Sequence, residues 1–294
     1  MKRNFYHIIL IVIFCIFSLN YGCKTPDDHD SAATGGKAER YLTIKGSDTM
    51  VHLVSTWVEK FMEIRPGSEV SVTGGGSGTG IAALINGTTN ICAASRDIKE
   101  KELKLARKQG VEPVGAVVAR DGIAVVVNPA NPVSELTVEQ IGKIFSGVYT
   151  RWSDVGGNDE PIIVLSRESS SGTFVFFQEH VLNKADYTRT ARFLPGTSAV
   201  IQAIETDKFA IGYVGLGFAS EAKDKVKALG VKAVETAIAI APSEKTVVSG
   251  EYSIARPLYF YTNGQPLGLL NEFIEFCLSD EGKKIVRKTG YVPR

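Results

Sequence analysis

Three clusters rich in glycine, serine and threonine each stand between a run of strand length and a run of helical periodicity. They are residues 45–49 (KGSDT), 74–80 (GGGSGTG) and 169–173 (SSSGT). Alternation of strand and helix along a chain indicates an α/β fold. In an open α/β sheet, ligands bind where strands turn into helices, at the carboxyl ends of the strands. We therefore expect the three clusters to converge on one ligand site.

The same periodicity predicts the individual elements. Strands are predicted over 41–45, 70–73, 91–94, 162–165 and 211–214, and helices over 48–65, 80–86, 101–109, 138–145, 173–182 and 268–288. Two longer extended runs, over 114–127 and 254–261, bracket the middle third of the chain. The first of them is predicted to be interrupted at 120–122 (RDG).

These two long runs predict how the chain is divided. A chain that leaves one lobe, builds a second and returns needs two crossing strands, which then act as a hinge. On this interpretation, lobe 1 comprises residues 41–122 and 252–294, and lobe 2 comprises residues 123–251. The alternative is one large sheet that contains both runs.

The N-terminus has the pattern of a secretory signal. Lys2 and Arg3 precede an unbroken apolar run over 9–17, and Gly22 stands directly before Cys23. The run is too short to span a bilayer comfortably, although an uncleaved membrane anchor is the alternative. The stretch resembles the lipobox of bacterial lipoproteins, which implies a signal over 1–22 and acylation of Cys23. Residues 23–40, with no apolar periodicity, are then predicted to be a lipid-anchored, flexible tether.

Composition narrows the remaining classes of function. Removal of residues 1–22 leaves 31 basic and 32 acidic residues, so bulk charge gives no support for nucleic-acid binding. The four histidines are scattered without metal-ligand spacing, and we expect neither a metal nor a cofactor. Cys92 and Cys277 lie in apolar segments and are predicted to be buried thiols rather than a disulfide.

The chemistry of the clusters favours an anion. The free N–H groups of a first helical turn point outward, and the helix dipole favours negative charge there. Glycines allow close approach of a ligand, and serine and threonine hydroxyls add donors. For any single cluster an ordinary helix N-cap is the simpler interpretation, but three clusters in one chain favour a ligand site.

Two arginines stand beside the clusters. Arg96 follows the strand predicted over 91–94, and Arg167 ends the one that begins at 162. A guanidinium group offers a planar fork that suits a tetrahedral oxyanion. A surface salt bridge, to Asp97 for Arg96 or to Glu168 for Arg167, is the alternative for each.

Nine short runs carry a resemblance to a known family. They are 46–50 (GSDTM), 75–81 (GGSGTGI), 94–96 (ASR), 119–124 (ARDGIA), 144–147 (IFSG), 151–157 (RWSDVGG), 167–173 (RESSSGT), 213–215 (YVG) and 256–259 (RPLY). Together they closely resemble the periplasmic phosphate-binding proteins of ABC phosphate uptake systems, over residues 41–294. The resemblance implies a two-lobed α/β periplasmic-binding-protein fold of type II, with a sheet flanked by helices in each lobe and two crossover hinge strands. It also implies a monomeric receptor, not an enzyme, that binds inorganic phosphate in the cell envelope and delivers it to ABC permease subunits.

By the same resemblance, a set of residues corresponds to phosphate-contacting positions. They are Thr49, Met50 (through its N–H), Ser77, Arg167, Ser171, Gly172 and Thr173. Ser47, Asp48 and Arg96 complete the candidate set from their places in or beside the clusters. The best-studied branch of the family has an aspartate in place of Arg96, and that aspartate accepts the proton of hydrogen phosphate. Asp48 and Asp97 are the candidates for this acceptor here, and Asp48 is favoured because it lies within the first cluster.

Other functions remain open at this point. The same fold binds sulfate, molybdate or tungstate if no acceptor for a ligand proton is present. A phosphatase or serine hydrolase needs an activated nucleophile and a base, for which His52 is a candidate. The chain contains no G-x-S-x-G, H-E-x-x-H or phosphate-binding P-loop motif. A signalling or adhesion lipoprotein that merely retains the cleft is the last alternative.

Overall fold

The computed structural model describes residues 40–294. The predicted signal, Cys23 and all but the last residue of the predicted tether lie outside these residues. Within 40–294, no helix combines the length and the apolar character needed to cross a membrane.

Strands and helices alternate through most of the chain. The strands are β1 (Tyr41–Gly46), β2 (Glu69–Thr73), β3 (Ile91–Ala94), β4 (Pro113–Val127), β5 (Glu135–Thr137), β6 (Ile163–Arg167), β7 (Arg192–Leu194), β8 (Ala210–Gly215), β9 (Lys227–Ala228), β10 (Gly230–Lys232), β11 (Ala255–Asn263) and β12 (Val292–Pro293). The helices are α1 (Val51–Ile64), α2 (Ser77–Ile85), α3 (Glu100–Lys108), α4 (Val138–Ser146), α5 (Gly172–His180), α6 (Thr197–Thr206), α7 (Leu216–Glu221), α8 (Glu244–Val248), α9 (Gly268–Leu278) and α10 (Asp280–Lys288). Single 3₁₀ turns cover Asp48–Met50 and Trp152–Val155.

Strand β4 connects two half-sheets. The main sheet has the order β2-β1-β3-β11-β4-β8-β6-β7. Up to Gly122, β4 pairs antiparallel with β11, and from Ile123 onward it pairs antiparallel with β8. Hydrogen bonding is therefore continuous across the whole sheet, as the single-sheet alternative expects, while one strand crosses between its halves.

Each half-sheet has a core on both of its faces. On the first half, α1, α9 and α10 cover one face around Trp57 and Phe273, and α2 and α3 cover the other face around Leu84. On the second half, Val125 of β4 faces α4 and α5, whereas its neighbour Val126 faces α6 and α7. This alternation follows from the two-residue period of a strand. Two half-sheets, each covered by helices on both faces and joined by a crossing strand, confirm the predicted two-lobed fold.

The bounds of the lobes remain our prediction, and two observations support them. The exchange of partners along β4 falls between Gly122 and Ile123. The returning strand β11 begins at Ala255, directly opposite Gly122. The chain therefore crosses between the half-sheets twice at the same level.

Two predicted elements differ from the structure. Strand β4 is not interrupted at 120–122, because Asp121 pairs with Arg256 on β11 and its charge is thereby accommodated inside the sheet. The helix predicted over 268–288 is two helices, α9 and α10. The break falls at Ser279, whose Oγ accepts the Gly282 N–H and so caps the second helix.

The C-terminal strand β12 packs beside β4, close to the point where β4 changes its pairing partner. Val292 of β12 pairs with Arg120 of β4. The hydroxyl of the adjacent Tyr291 is fully buried and donates to the carbonyl oxygen of Thr49. The last strand thus fastens the start of α1 to the crossing strand.

Candidate ligand-binding site

The first two clusters meet at the carboxyl ends of β1 and β3. Ser47 Oγ donates to Ser95 Oγ at 3.0 Å, and the Ser95 N–H donates to Ser77 Oγ at 3.0 Å. The backbones approach so closely that a methyl group on Gly46, which has a φ of +147°, would lie 2.0 Å from the carbonyl oxygen of Ala93. Glycine is therefore required where β1 turns into the first cluster.

The third cluster faces the first two from the other half-sheet. Thr49 Oγ1 and Thr173 Oγ1 lie 2.9 Å apart, and the Gly78 N–H donates to the Ser170 carbonyl oxygen at 2.9 Å. All three clusters thus meet where the two half-sheets face one another, as the strand-to-helix pattern predicts.

The helix starts in this region are not all ordinary caps. Ser171 Oγ accepts the N–H groups of Thr173 and Phe174, so Ser171 is an N-cap of α5. Ser77, in contrast, is the first residue of α2, and its hydroxyl accepts from Ser95. The Met50 N–H, a predicted ligand donor, is bonded to the Ser47 carbonyl oxygen at 3.0 Å in this structure.

Arg167 ends β6, as predicted, and is almost fully buried. Its guanidinium donates to Thr197 Oγ1 at 2.9 Å and to the Pro195 carbonyl oxygen at 2.8 Å. It also lies 3.3 Å from Asp48 Oδ2. Burial lowers the pKa of Arg167 and the Asp48 charge opposes this shift. Since arginine ordinarily titrates far above neutral pH, the buried group keeps its positive charge.

Asp48 joins the two half-sheets. Besides its ion pair with Arg167, its Oδ2 accepts the N–H of Thr197, at the start of α6, at 2.7 Å. Asp97, the other candidate acceptor, lies near β11. Burial and a hydrogen bond from Tyr259 to Asp97 together raise the pKa of Tyr259. Of the two candidate acceptors, Asp48 contacts Arg167, whereas Asp97 lies beside Tyr259.

Arg96 has a different partner from the one expected. Its two terminal nitrogens bind both oxygens of Glu102 on α3, at 2.8 and 2.7 Å. Burial raises the pKa of Glu102, but the hydrogen bonds from Arg96 and from the Lys99 N–H outweigh it, and the net shift is downward. The ion-pair alternative is therefore the one observed, in buried form and with Glu102 rather than Asp97. Glu102 occupies the Arg96 fork in this structure, and a contact between Arg96 and a ligand stays a prediction.

Several residues at the site were not predicted. Ser95 and Thr197 contact candidate residues directly, and a fully buried ion pair between Arg256 and Asp121 lies behind Thr173. Arg256 and Asp121 lie within two of the runs that carry the family resemblance, but neither run suggested a role. Their pairing across more than a hundred residues of chain is visible only in the fold.

The candidate metal ligands and the candidate base His52 can be located among the described residues. No group of three or more His, Cys, Asp or Glu side chains in 40–294 is placed to hold a metal ion. His52 Nε2 lies 2.8 Å from a carboxylate oxygen of Glu221 on α7. The imidazole proposed as a base for an enzyme is therefore paired with a carboxylate, not with a serine.

Comparison with known proteins identifies the family. A model of the PBP superfamily domain matches residues 31–281. The phosphate-binding protein PstS of Pseudomonas aeruginosa is 32% identical over 269 residues, covering 86% of this chain and 82% of that protein. PstS of Bacillus subtilis is 32% identical over 303 aligned positions, covering 100% of this chain and 95% of that protein. The chain belongs to the PstS family.

Solved structures agree with this assignment. A phosphate ABC transporter substrate-binding protein from Clostridium perfringens, solved with bound phosphate, has a TM-score of 0.76 at 30% identity, covering 86% of this chain and 99% of that one. An ABC-type phosphate transport receptor from Vibrio cholerae has a TM-score of 0.69 at 31% identity, covering 86% and 100% respectively. The PstS resemblance and the two-lobed fold are thereby confirmed.

Gly172→Ala is predicted to block closure of the lobes without unfolding the protein. A methyl group on Gly172 would lie 2.3 Å from Ser77 Oγ and 2.6 Å from Ser95 Oγ, both in the opposite lobe. An opening of the lobes at β4 would relieve this clash, so we expect the variant to fold but to close poorly. Calorimetric titration with phosphate should show affinity reduced by about 5- to 150-fold, because overpacking costs about 1–3 kcal/mol.

Ser134→Ala, at an exposed position of lobe 2 outside the three clusters, is the control and should bind as the unaltered protein does. Unchanged phosphate affinity in Gly172→Ala would show that the two lobes do not close as this structure has them.

Proposed function

We propose that this chain is a non-catalytic receptor that captures inorganic phosphate between its two lobes and delivers it to an ABC permease. The observation that carries the proposal is the convergence of three hydroxyl-rich helix starts and the buried Arg167 from opposite half-sheets. The phosphate-binding names of its relatives, and the phosphate bound to the Clostridium perfringens structure, support the same ligand.

The charges and donors of the site fit a small tetrahedral anion. A buried guanidinium, serine and threonine hydroxyls and first-turn N–H groups all offer hydrogens to oxygen acceptors. The proposed ligand set comprises Ser47, Asp48, Thr49, Met50, Ser77, Arg167, Ser171, Gly172 and Thr173. We assign Arg96 to a positioning role instead, since its pairing with Glu102 fixes the start of α3.

We propose that the permease recognises the closed form of the protein. Contacts between the lobes include the ion pairs Asp48–Arg167, His52–Glu221 and Lys99–Glu179. The hydroxyl and backbone contacts of the three clusters also join the two lobes. Hinge closure about a ligand excludes water and presents one rigid surface. The pairing of His52 with Glu221 gives a hydrolase no specific support.

Arg167→Ala is predicted to weaken phosphate binding by about 10- to 150-fold, because a hydrogen bond to a charged group contributes about 1.5–3 kcal/mol. Arg192→Ala, which removes an exposed arginine from the adjacent strand β7, is the control and should leave affinity unchanged. Isothermal titration of both variants measures the difference. Equal affinity in the two variants would remove Arg167 from the site.

Asp48→Asn is predicted to reduce both phosphate affinity and the preference for phosphate over sulfate. A carboxylate accepts the proton of hydrogen phosphate but repels fully ionised sulfate, and the amide removes that repulsion. Competition titrations with sulfate test this in Asp48→Asn beside Asp97→Asn. If the preference is lost only in Asp97→Asn, then Asp97 is the acceptor and Asp48 serves closure alone.

We further propose that the chain is exported and acylated at Cys23 after removal of residues 1–22, and that it acts as a monomer on a flexible tether. Cys23→Ser is predicted to release the protein from the membrane fraction and to abolish labelling by a palmitate analogue, since the thiol is the site of acylation. Cys15→Ser is the control and should stay labelled. Labelling that persists in Cys23→Ser would place the anchor elsewhere.

A further inference from the structure

A fully buried ion pair lies at the base of the cleft, on β11 and on β4, the strand that crosses between the lobes. Arg256 on β11 stands directly opposite Asp121 on β4 in the antiparallel register. Their side chains are both 0% exposed, and Arg256 Nη2 lies 3.0 Å from Asp121 Oδ2. One residue further along, β4 leaves β11 for β8.

The arginine touches both lobes at the ligand site. Its Nη2 also donates to Thr173 Oγ1 at 2.9 Å, and its Nη1 donates to the Ser95 carbonyl oxygen at 2.9 Å. Thr173 belongs to the first turn of α5 in lobe 2, whereas Ser95 follows β3 in lobe 1. The guanidinium also lies over the ring of Phe176, 5.6 Å from its centroid, so it meets α5 twice.

The aspartate reaches the second lobe independently. Its Oδ1 accepts the N–H of Leu216, the first residue of α7, at 3.0 Å. A methyl group on the preceding Gly215 would lie 3.0 Å from Asp121 Oδ2. The pair therefore connects β4, β11, the end of β3 and the starts of α5 and α7.

This pair is poorly arranged for stability alone. Arg256 meets Asp121 through a single nitrogen, and its buried Nε has no hydrogen-bond partner among the described residues. Burial raises the pKa of Asp121 and lowers that of Arg256, each against the charge of the other. A buried ion pair recovers its desolvation cost only when its remaining hydrogens are satisfied. An arrangement this costly points to a role beyond packing.

The direction of one hydrogen bond defines that role. Thr173 Oγ1 accepts a hydrogen from Arg256, which has only donors, so its own hydrogen is left to point away from Arg256. Thr49 Oγ1 lies 2.9 Å from the same oxygen, where the clusters of the two lobes meet, and either of these two hydroxyls can be the donor. Because Arg256 occupies one acceptor position of Thr173 Oγ1, the Thr173 hydrogen is available to a second acceptor on the cleft side, as an anion would provide.

We propose that Arg256, held by Asp121, is a positioning residue that orients the Thr173 hydroxyl toward phosphate and ties α5 to the end of β3 when the lobes close. The proposal rests on the proposed phosphate-binding function. It predicts that Arg256 and Thr173 act as a unit in binding, although Arg256 itself does not touch the ligand.

A double-mutant cycle on phosphate binding tests this unit. Arg256→Lys keeps a charge opposite Asp121 but loses the fork that reaches both Thr173 and Ser95. We expect Arg256→Lys to fold, with a near-native circular dichroism spectrum, and to bind phosphate about tenfold more weakly. Thr173→Val should then cost markedly less affinity in the Arg256→Lys background than in the unaltered protein. A purely structural role for Arg256 predicts additive losses instead.

The matched control is Arg65→Lys, which alters an exposed pair with Glu272 in the same lobe. It should leave affinity unchanged and combine additively with Thr173→Val. Small-angle X-ray scattering supplies a second readout, because the compaction caused by phosphate should be smaller in Arg256→Lys than in Arg65→Lys. Affinity within twofold of the unaltered protein, or additivity in the cycle, would overturn the proposal.

Two further measurements cover a failure to fold. The double variant Arg256→Met with Asp121→Leu replaces the pair by apolar side chains and is expected to fold yet bind phosphate weakly; native affinity would contradict the proposal. A crystal structure of the unaltered protein with phosphate needs no variant, and a Thr173 hydroxyl without a bond to Arg256 would also contradict it. Failure of the unaltered protein to bind phosphate refutes instead the proposed function on which this inference rests.

Discussion

Strand β4 forms backbone hydrogen bonds in both half-sheets. The relative positions of the three clusters depend on this change of pairing partner along β4. Because β4 exchanges β11 for β8 within one residue step, the strands of the two halves direct their carboxyl ends toward the same space. The helix starts that follow β1 and β6 therefore face each other rather than lying side by side. A cleft whose two walls belong to one continuous sheet can open and close by a change in the twist of a few residues.

Buried charge is the second constraint on this cleft. Arg167 is held away from water. It forms an ion pair with Asp48 of lobe 1 and donates hydrogen bonds to Thr197 Oγ1 and to the Pro195 carbonyl oxygen, at and before the start of α6 in lobe 2. Such an arrangement is costly unless the charge is satisfied in full. Arg96, buried as well, is paired with both oxygens of Glu102 and contributes order at the start of α3. In the sequence, Arg96 and Arg167 each follow a strand beside a cluster. In the fold, they have different partners and different surroundings.

Much of this arrangement follows from local patterns. The strand over 91–94 matches β3 residue for residue, and the three clusters meet as the strand-to-helix rule requires. The pairing of Arg96 with Glu102 could have been predicted from the sequence, since Glu102 lies six residues away in the first turn of a predicted helix. Helix α6 was not predicted, although its apolar residues Val200, Ile201 and Ile204 are spaced for a helix and Thr197 and Ser198 stand before them as a start signal. The link between Asp121 and Arg256 depends on strand pairing across the sheet, which no local window contains.

The contacts between the C-terminal segment and the start of α1 affect the order in which the protein folds during synthesis. Tyr291 holds the carbonyl of Thr49, and β12 is hydrogen-bonded to β4, so the first lobe is built from both ends of the polypeptide. A chain that emerges N-terminus first exposes its early strands and helices long before residues 255–293 arrive to complete that lobe. The cleft is therefore complete only after β11 and β12 have been synthesised, and a partly synthesised chain lacks part of the first lobe.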